Sequence, residues 1–182
     1  MPVFFIFSLK KLDILNILRH DLRSHNNFVL FSFTIGKIMR IVAQRVNKAH
    51  VSVDGRITGA IEKGLVLLIG IKNGDTSADV KFFAEKCLHL RIFEDAEGKM
   101  NRSIIDAKGS ILAVSQFTLY ADTTKGRRPN FLEAARPELA EPLYNEFVTH
   151  LRSHNIHVET GIFGAMMEVE IHNSGPVTII LE

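Results

Sequence analysis

The stretch MRIVAQRVNKAHVSVDGRITGAIEKGLVLLIGI, residues 39–71, decides the fold of this chain. Apolar and polar residues alternate over residues 40–46 and again over residues 50–53, which is the period of a strand with one buried face. The tight-turn signal Asp54-Gly55 follows, then a third alternating segment, and the stretch ends in a continuous apolar run. It therefore predicts a series of strands joined by short turns.

Two amphipathic helices and further short strands are predicted after this stretch. Thr76 or Ser77 is expected to cap the first helix. Pro142 is expected in the first turn of the second helix, or else to kink it. The apolar faces comprise Val80, Phe83, Ala84, Cys87 and Leu88 in the first helix and Leu139, Leu143, Phe147 and Leu151 in the second. More strands are predicted at residues 110–114, 157–160, 167–171 and 177–181. Strands interrupted by two main helices predict an α+β fold, a single domain built on an antiparallel sheet or partial β-barrel.

The first 38 residues differ in composition from the rest of the chain. They hold six of the thirteen phenylalanines, and five basic residues against two acidic ones. We interpret residues 1–38 as a leader outside the fold, arising from a start assigned upstream of the true one. The alternative is a real extension that packs on the domain, which itself is expected over residues 39–182.

The charge and composition of residues 39–182 exclude several classes of partner. These residues carry 17 basic and 18 acidic groups, so the domain is close to neutral. Because affinity for a duplex grows with the number of phosphates neutralised, this balance argues against DNA and permits only a small nucleic-acid footprint. No segment has the roughly 18 uninterrupted apolar residues of a membrane helix, so no membrane partner is expected. The single cysteine, Cys87, is interpreted as core filler and suits a reducing, cytoplasmic location.

Two short segments carry the strongest functional signal, SQFTLYAD at residues 115–122 and NSGPVT at residues 173–178. In the first, an apolar strand runs directly into hydroxyl and amide side chains. In the second, Gly175-Pro176 lies between two predicted strands. Because proline cannot donate to a ladder, this step must be an edge, a bulge or a cis turn. Together they indicate a site built largely from backbone atoms.

The histidines do not predict a catalytic triad or a metal centre. A triad needs a histidine within reach of the nucleophile, and among the eight histidines only His172 lies near either segment, on an expected outward face. His150, His154 and His157 have tempting spacings, but no glutamate base or cysteine accompanies them in the sequence. We interpret them as a solvated helix end and predict neither a metal nor another cofactor.

At these segments the sequence resembles the D-aminoacyl-tRNA deacylases, first described as D-tyrosyl-tRNA deacylases. The resemblance begins at Met39 and covers about 144 of the 182 residues. Its motifs are MRIVAQRV (residues 39–46), GKMNRS (98–103), SQFTL (115–119), KGRRPNF (125–131) and GPVT (175–178). Two positions depart from the family pattern, since Ser174 and Met166 stand where Asp is usual. We expect these differences to tune the loop without abolishing activity.

The resemblance implies an enzyme that hydrolyses D-aminoacyl-tRNA, and mischarged glycyl-tRNA, as a proofreading reaction. It assigns catalysis to the SQFT segment. The amides around Phe117 and Thr118 would stabilise the oxyanion, while Ser115 and Gln116 would shape the pocket beside the terminal adenosine. A direct role for the Thr118 hydroxyl, as nucleophile or in orienting water, is open, because the sequence shows no base to activate it.

The resemblance assigns chiral selection to a second group of residues. A cis Gly175-Pro176 bond would hold two parallel carbonyls that accept from the α-ammonium of a D-aminoacyl group and leave no room for an L side chain. In relatives this dipeptide reaches across a dimer interface, which implies a homodimer here. Arg45 is expected to brace it, and Met167 is placed in the same selection site.

The resemblance also identifies the nucleic-acid partner as the 3′ acceptor end of an aminoacyl-tRNA. The basic cluster Lys125, Arg127 and Arg128 follows the site segment and is expected to hold its phosphates. Two alternatives stay open. One is an editing module for L-aminoacyl-tRNA, and the other is a protein on the same fold that binds an RNA end without catalysis.

Overall fold

The computed structural model describes residues 39–182, so the predicted leader lies outside the described residues. The strands are β1 (Arg40–Val53), β2 (Arg56–Ile61), β3 (Gly64–Gly70), β4 (Phe93–Glu94), β5 (Met100–Arg102), β6 (Ser110–Ser115), β7 (Val158–Thr160) and β8 (Glu168–Leu181). The helices are α1 (Ser77–His89) and α2 (Pro137–Ser153).

Strand β1 is the centre of a six-stranded sheet and pairs antiparallel with three other strands. The two segments predicted at residues 40–46 and 50–53 form this one continuous strand. Its first half pairs with β3 and its second half with β2, while β8 runs along most of its length. The β1–β2 turn uses Asp54 and Gly55 at φ +49° and +74°, as their sequence signal predicted.

The sheet is mixed, because the β3–β6 and β6–β7 pairs are parallel. Parallel neighbours need a long crossover, and α1 and α2 lie in these two connections. The predicted α+β class and the barrel-like sheet with two main helices are confirmed. The sheet differs from the predicted antiparallel one in that the strands connected through the two helices pair in parallel.

Both helices begin at identifiable N-terminal signals. Thr76 caps α1, and Asp79 accepts from the Thr76 backbone N–H at 2.8 Å in a capping box. Pro137 occupies the start of α2, where a missing N–H is tolerated. The prediction that Pro142 lies in the first turn was wrong, because the helix starts earlier and encloses it. Leu139 is also more exposed than predicted, since Ala140 and Tyr144 share the buried face with Leu143.

Two clusters of buried side chains form on opposite faces of the sheet. The larger one lies between the sheet and both helices and includes Ile41, Leu67, Phe83 and Phe147. The smaller, which we call the second cluster, includes Val51, Val66, Leu112 and Val114. Alternation along β3 sends successive side chains to the two clusters. Strand β1 instead contributes to the larger cluster from its first half and to the second cluster from its later half. Neither helix of residues 39–182 has both the length and the apolar content of a bilayer-spanning segment.

Strand β8 carries a bulge that the sequence had suggested as a break between two strands. Thr178 pairs with Gln44, but the next pairing towards the N-terminus of β8 joins Asn173 to Val46. Four residues of β8, 174–177, therefore face the single residue Arg45. The strand continues on both sides, so the Gly175-Pro176 step is a bulge within one strand.

Candidate functional site

The first predicted site segment forms a tight turn at the end of β6. Residues Phe117–Tyr120 form one turn of 3-10 helix, separated only by Gln116 from Ser115, the last residue of the strand. The Gln116 N–H still donates to the Ile69 carbonyl of β3 at 2.8 Å. Phe117 and Thr118 are exposed, whereas Tyr120 is buried. The sheet thus holds the start of the turn and presents its outer residues to solvent.

The backbone N–H groups of Phe117 and Thr118 are the first two of this turn. The opening N–H groups of a helical turn have no partner within it. Further along, Leu119 N–H donates to the Gln116 carbonyl at 3.3 Å and Ala121 N–H donates to the Thr118 carbonyl at 3.0 Å. Two neighbouring donors on an exposed, anchored turn can stabilise a negative oxygen.

The Thr118 hydroxyl has an amide as its neighbour in the described chain. Gln116 Nε2 donates to Thr118 Oγ1 in a very short contact. An amide NH₂ group can donate but cannot take a proton from the hydroxyl. His172, the histidine closest in sequence to the second site segment, is exposed and contacts Glu170 at 2.7 Å. The neighbour of the Thr118 hydroxyl within the described chain is thus an amide, and the role of this hydroxyl stays a prediction.

Arg40 supports the turn from β1, a role that the sequence reasoning missed. Its Nη1 donates to the Leu119 carbonyl at 2.7 Å, its Nε lies 2.9 Å from Glu182, and the guanidinium lies 5.3 Å from the Tyr120 ring centroid. Burial raises the pKa of Tyr120 well above its ordinary value, so its phenol is neutral. The signal available in the sequence was a positive charge at the first residue of β1.

The second predicted segment presents backbone to solvent. The Gly175-Pro176 peptide is cis, as the sequence predicted, and both residues are exposed. Gly175 has φ +120°, a conformation that residues with a Cβ rarely adopt. An ideal Cβ built there would lie 2.9 Å from Val177 Cγ2 and 3.2 Å from Arg45 Nη2. Glycine is therefore required by both conformation and space.

Arg45 lies behind the bulge, where the sequence placed it. Its Nε donates to the Ser174 carbonyl at 3.1 Å, and its Nη1 donates to the buried Ile92 carbonyl at 2.6 Å. Its Nη2 lies 3.5 Å from a Glu94 carboxylate oxygen. The side chain is 9% exposed, so one guanidinium joins the bulge to the segment around β4. The sequence did not identify Ile92 or Glu94 as partners of Arg45. Ile92 contributes only its backbone carbonyl, and Glu94 contributes a charge that is distant in sequence.

The two site segments lie far apart within one chain. Ser115 pairs with Ile69, which pairs with Ile41, whereas the bulge lies opposite Arg45. Strand spacing puts them about 13 Å apart along β1 and about 14 Å apart across three strand intervals. The separation measured along the sheet is therefore about 19 Å. The two segments of one chain are therefore not neighbours in the sheet.

Met167 and Met166 take different environments at the start of β8. Met167 is half-buried, packs against the second cluster and approaches Gly161 closely. Met166 is 91% exposed. Within the chain Met167 therefore contributes to packing near Gly161, and its role in chiral selection stays a prediction.

The predicted basic cluster lies on an exposed loop beside the turn. Asp122 and Asn130 pair at the base of this loop, and the carboxylate of Asp122 accepts from Thr124 and Asn130. The Thr124 hydrogen bonds lower the pKa of Asp122. Lys125, Arg127 and Arg128 are all exposed at the loop tip. Phe131, just beyond the loop, packs edge-on against Phe117 with ring centroids 5.2 Å apart.

One interpretation of the histidines was wrong. The end of α2 does have an acidic partner, because Glu85 of α1 contacts both His150 and His154. Only His157 behaves as predicted, exposed and paired with Glu159. The contact was invisible in the sequence because Glu85 lies 65 residues before His150 and meets it only when the helices pack.

Comparisons with known proteins agree on one family. The model of the family described as D-Tyr-tRNA(Tyr) deacylase matches residues 42–182. A protein of Halalkalibacterium halodurans named D-aminoacyl-tRNA deacylase is 59% identical over 144 residues, which are 79% of this chain and 99% of that protein. A protein of Thermus aquaticus with the same name is 56% identical over 144 residues, 79% of this chain and 95% of that one.

Two solved structures have the same fold. The structure named c-Myc DNA Unwinding Element Binding Protein has a TM-score of 0.74 and 43% identity, covering 79% of this chain and 97% of its own. A probable eukaryotic D-amino acid tRNA deacylase has a TM-score of 0.69 over 79% of this chain and 98% of its own. Its identity of 18% supports the fold alone.

Proposed function

The chain belongs to the D-Tyr-tRNA(Tyr) deacylase family, and from that premise we propose that it hydrolyses the ester bond of D-aminoacyl-tRNA, releasing a D-amino acid and tRNA. Mischarged glycyl-tRNA is a second substrate, because glycine has no side chain to be excluded. The reaction is chiral proofreading, and we propose that it takes place in the cytoplasm. The single cysteine, Cys87, is compatible with that location, because its thiol is buried and burial raises its pKa to about 12.

The observation that carries this proposal is the exposed turn at Phe117–Tyr120, which offers backbone donors and no activated side chain. An aminoacyl ester is already activated, so positioning and oxyanion stabilisation suffice for its hydrolysis. Each well-placed donor contributes about 2.7–4 kcal/mol to transition-state stabilisation in acyl-transfer enzymes. We assign these donors to the N–H groups of Phe117 and Thr118, and the adenosine side of the pocket to Ser115 and Gln116.

Chiral selection is assigned to the bulge at Gly175-Pro176, held by Arg45. Its carbonyls accept from the α-ammonium group of the substrate, and the backbone comes too close for an L side chain. Because this bulge lies about 19 Å along the sheet from Ser115 of the same chain, the bulge that completes each site comes from a second copy. Met167 is placed at this shared site.

A homodimer also accounts for an apolar row on the sheet. Ile180, Val42, Leu68 and Val114 pair in sequence across β8, β1, β3 and β6, on the face turned away from the helices. Ile180 is 57% exposed, and Val42 and Leu68 are only half-buried. Val114 is buried, so the exposed part of the row is Ile180 beside the half-buried Val42 and Leu68. Adjoining apolar side chains that stay open to solvent support an interface at this position. We propose that this row packs against a second copy.

The acceptor end of the tRNA is held by the loop bearing Lys125, Arg127 and Arg128. These side chains are exposed beside the turn, and the near-neutral remainder of the domain limits the contact to a few phosphates. Binding through so few phosphates should fall less steeply with salt than binding to a long duplex.

The proposed function predicts strong selectivity in a direct assay. Purified protein is incubated with D-tyrosyl-, L-tyrosyl-, glycyl- and L-seryl-tRNA, and release of each amino acid is measured. We expect D-tyrosine to be released at least about 10²-fold faster than L-tyrosine. Preferential release of L-serine would identify the editing module, and release of nothing would identify a binding protein.

The same assay tests the domain boundary, which we propose at Met39. Relatives are covered almost completely by 144 residues of this chain, and the family match begins at Val42. A chain that begins at Met39 is therefore expected to show the same thermal midpoint and the same D-tyrosine release as the full chain. An insoluble or inactive short chain would make residues 1–38 part of the fold.

Catalysis is expected to depend more on the substrate's ribose hydroxyl than on Thr118. The amide of Gln116 cannot activate Thr118, whereas the hydroxyl next to the ester is held near the scissile carbonyl. Thr118→Ala should stay within about tenfold of the wild type, while a substrate lacking the terminal 2′-hydroxyl should lose about 10²-fold or more. An inactive Thr118→Ala enzyme, together with turnover of the deoxy substrate, would establish the threonine as nucleophile.

A further inference from the structure

Four side chains converge at the C-terminal ends of α1 and α2, and we call them the Glu85 cluster: Glu85, His89, His150 and His154. Glu85 Oε1 lies 2.7 Å from His150 Nε2 and 3.1 Å from His154 Nε2. Glu85 Oε2 lies 3.4 Å from His89 Nε2. The carboxylate of Glu85 is therefore surrounded by three imidazoles, one from its own helix and two from the other.

The placement of the cluster follows from how the helices pack. Ser77 donates to Glu146 at 2.7 Å, and Glu85 contacts His154, so both contacts join residues 69 positions apart. A constant offset means that α1 and α2 run in the same direction. Each helix contributes a pair at i, i+4, Glu85 with His89 and His150 with His154. Residues at this spacing share one face of a helix, and paired ligands at this spacing bind zinc in known metalloenzymes.

The local field at the cluster suits a cation. Both helices end there, and the C-terminal end of a helix carries a partial negative charge. Glu85 adds a full negative charge, since its hydrogen bond with His150 lowers its pKa despite partial burial. His150 and His154 are 22% and 33% exposed and stack with ring centroids 5.2 Å apart, so their orientations are partly fixed by packing.

We propose that the Glu85 cluster binds a divalent transition-metal ion, with Zn²⁺ as the reference ion, through Glu85, His150 and His154. One ligand atom from each residue lies within 4.8 Å of the others. Tetrahedral zinc with bonds of about 2.0–2.1 Å needs ligand atoms about 3.3 Å apart. The two contacts of 2.7 and 3.1 Å therefore need to open by about 0.6 and about 0.2 Å to reach this spacing.

Binding exchanges protons for the metal. Each coordinating imidazole must present a deprotonated Nε2 to the ion. A neutral imidazole does this by carrying its proton on Nδ1, and a doubly protonated one does it by releasing a proton to solvent. His89 can supply a fourth ligand by a change of its exposed side chain, and water occupies that position otherwise. The bound ion joins the ends of α1 and α2, and it lies outside the groups assigned to deacylation. Metal binding at the Glu85 cluster can therefore be tested independently of the proposed deacylase function.

A second group of similar composition provides a comparison within the same protein. Glu170 lies 2.7 Å from His172 and 3.7 Å from His50, but these three residues do not bring three ligand atoms within 4.8 Å of one another. Glu170 and His172 are also exposed, at 58% and 45%. The matched controls are His172 and the exposed His157, whose ion pair within residues 39–182 is with Glu159.

The test titrates Zn²⁺ into the metal-free full chain by calorimetry. We expect one site of micromolar affinity in the wild type. His150→Asn, His154→Asn and Glu85→Gln should each lower the Zn²⁺ affinity at least about tenfold. Removing a residue that only hydrogen-bonds to a metal ligand already lowers metal affinity by about 10–100-fold. His157→Asn and His172→Asn should leave the affinity unchanged.

Two further measurements keep the result unambiguous. Co²⁺ should give visible d–d absorption in the wild type and lose it in His150→Asn, and Zn²⁺ should raise the thermal midpoint of the wild type but not of that variant. The thermal midpoint of each variant, measured without metal, shows whether that variant is folded. Absence of micromolar binding, or binding that follows His172 or His157, would overturn the proposal.

Discussion

Gly175→Ala is expected to lower D-tyrosyl-tRNA hydrolysis by about 10²-fold, the loss that follows from displacing a reacting group by about 1 Å. At φ +120° any residue with a Cβ is strained. The new methyl would also lie 2.9 Å from Val177 Cγ2, 3.1 Å from Val177 N and 3.2 Å from Arg45 Nη2. Two of these atoms are held by the backbone or by a buried guanidinium, so the bulge itself must move.

This variant is expected to lose activity without gaining any on L-tyrosyl-tRNA, because added volume cannot enlarge the space that excludes an L side chain. The matched control is Gly164→Ala. Gly164 also has a positive φ, +74°, but nothing lies within 4 Å of its Cβ position. It should show only a modest backbone strain, because φ +74° lies close to the left-handed helical region, and it should keep D-tyrosine release within about twofold. Equal losses in both variants would mean that Gly175 matters for stability alone.

The sequence identified the elements that depend on local patterns. Alternation marked β1 and the apolar run marked β3, Thr76 marked the start of α1, and Gly175-Pro176 marked a bulge because proline cannot join a ladder. Each of these features depends on a few neighbouring residues. The strand order could not be read in this way, since the parallel pairing of β6 with β3 and β7 arises from crossovers that bury the helices.

The parts of the site that the sequence missed depend on long-range packing. Arg40 supports the turn from 79 residues away, and Glu85 meets His150 only across the helix interface. The sequence motif correctly placed Arg45 behind the bulge, yet its partners Ile92 and Glu94 gave no signal. A backbone carbonyl can accept from a distant arginine whatever its side chain is, so no residue type marks such a contact.

The largest loss of stability is expected for Arg45→Met. The methionine side chain fills similar space but leaves the buried Ile92 carbonyl without its 2.6 Å donor and frees the Ser174 carbonyl. Leaving a buried acceptor unsatisfied costs about 1–3 kcal/mol, and hydrogen bonds from a charged donor contribute about 1.5–3 kcal/mol. We expect the free energy of unfolding to fall by about 2–3 kcal/mol. The contact with Glu94 adds little, since that carboxylate is 59% exposed.

Activity of Arg45→Met separates bracing from stability. Assayed well below its thermal midpoint, the variant should still lose about 10²-fold in D-tyrosine release, because Ser174 no longer fixes the bulge. Arg45→Lys retains the charge but has no planar fork to reach both carbonyls, so it should recover part of the stability and little of the activity. Arg91→Met is the control, since Arg91 donates to Asn101 at 2.7 Å in an exposed position and should change stability by less than about 1 kcal/mol. Full activity of folded Arg45→Met would show that the bulge keeps its shape without this guanidinium, and that the rigidity needed for chiral selection comes from the strand on either side of it.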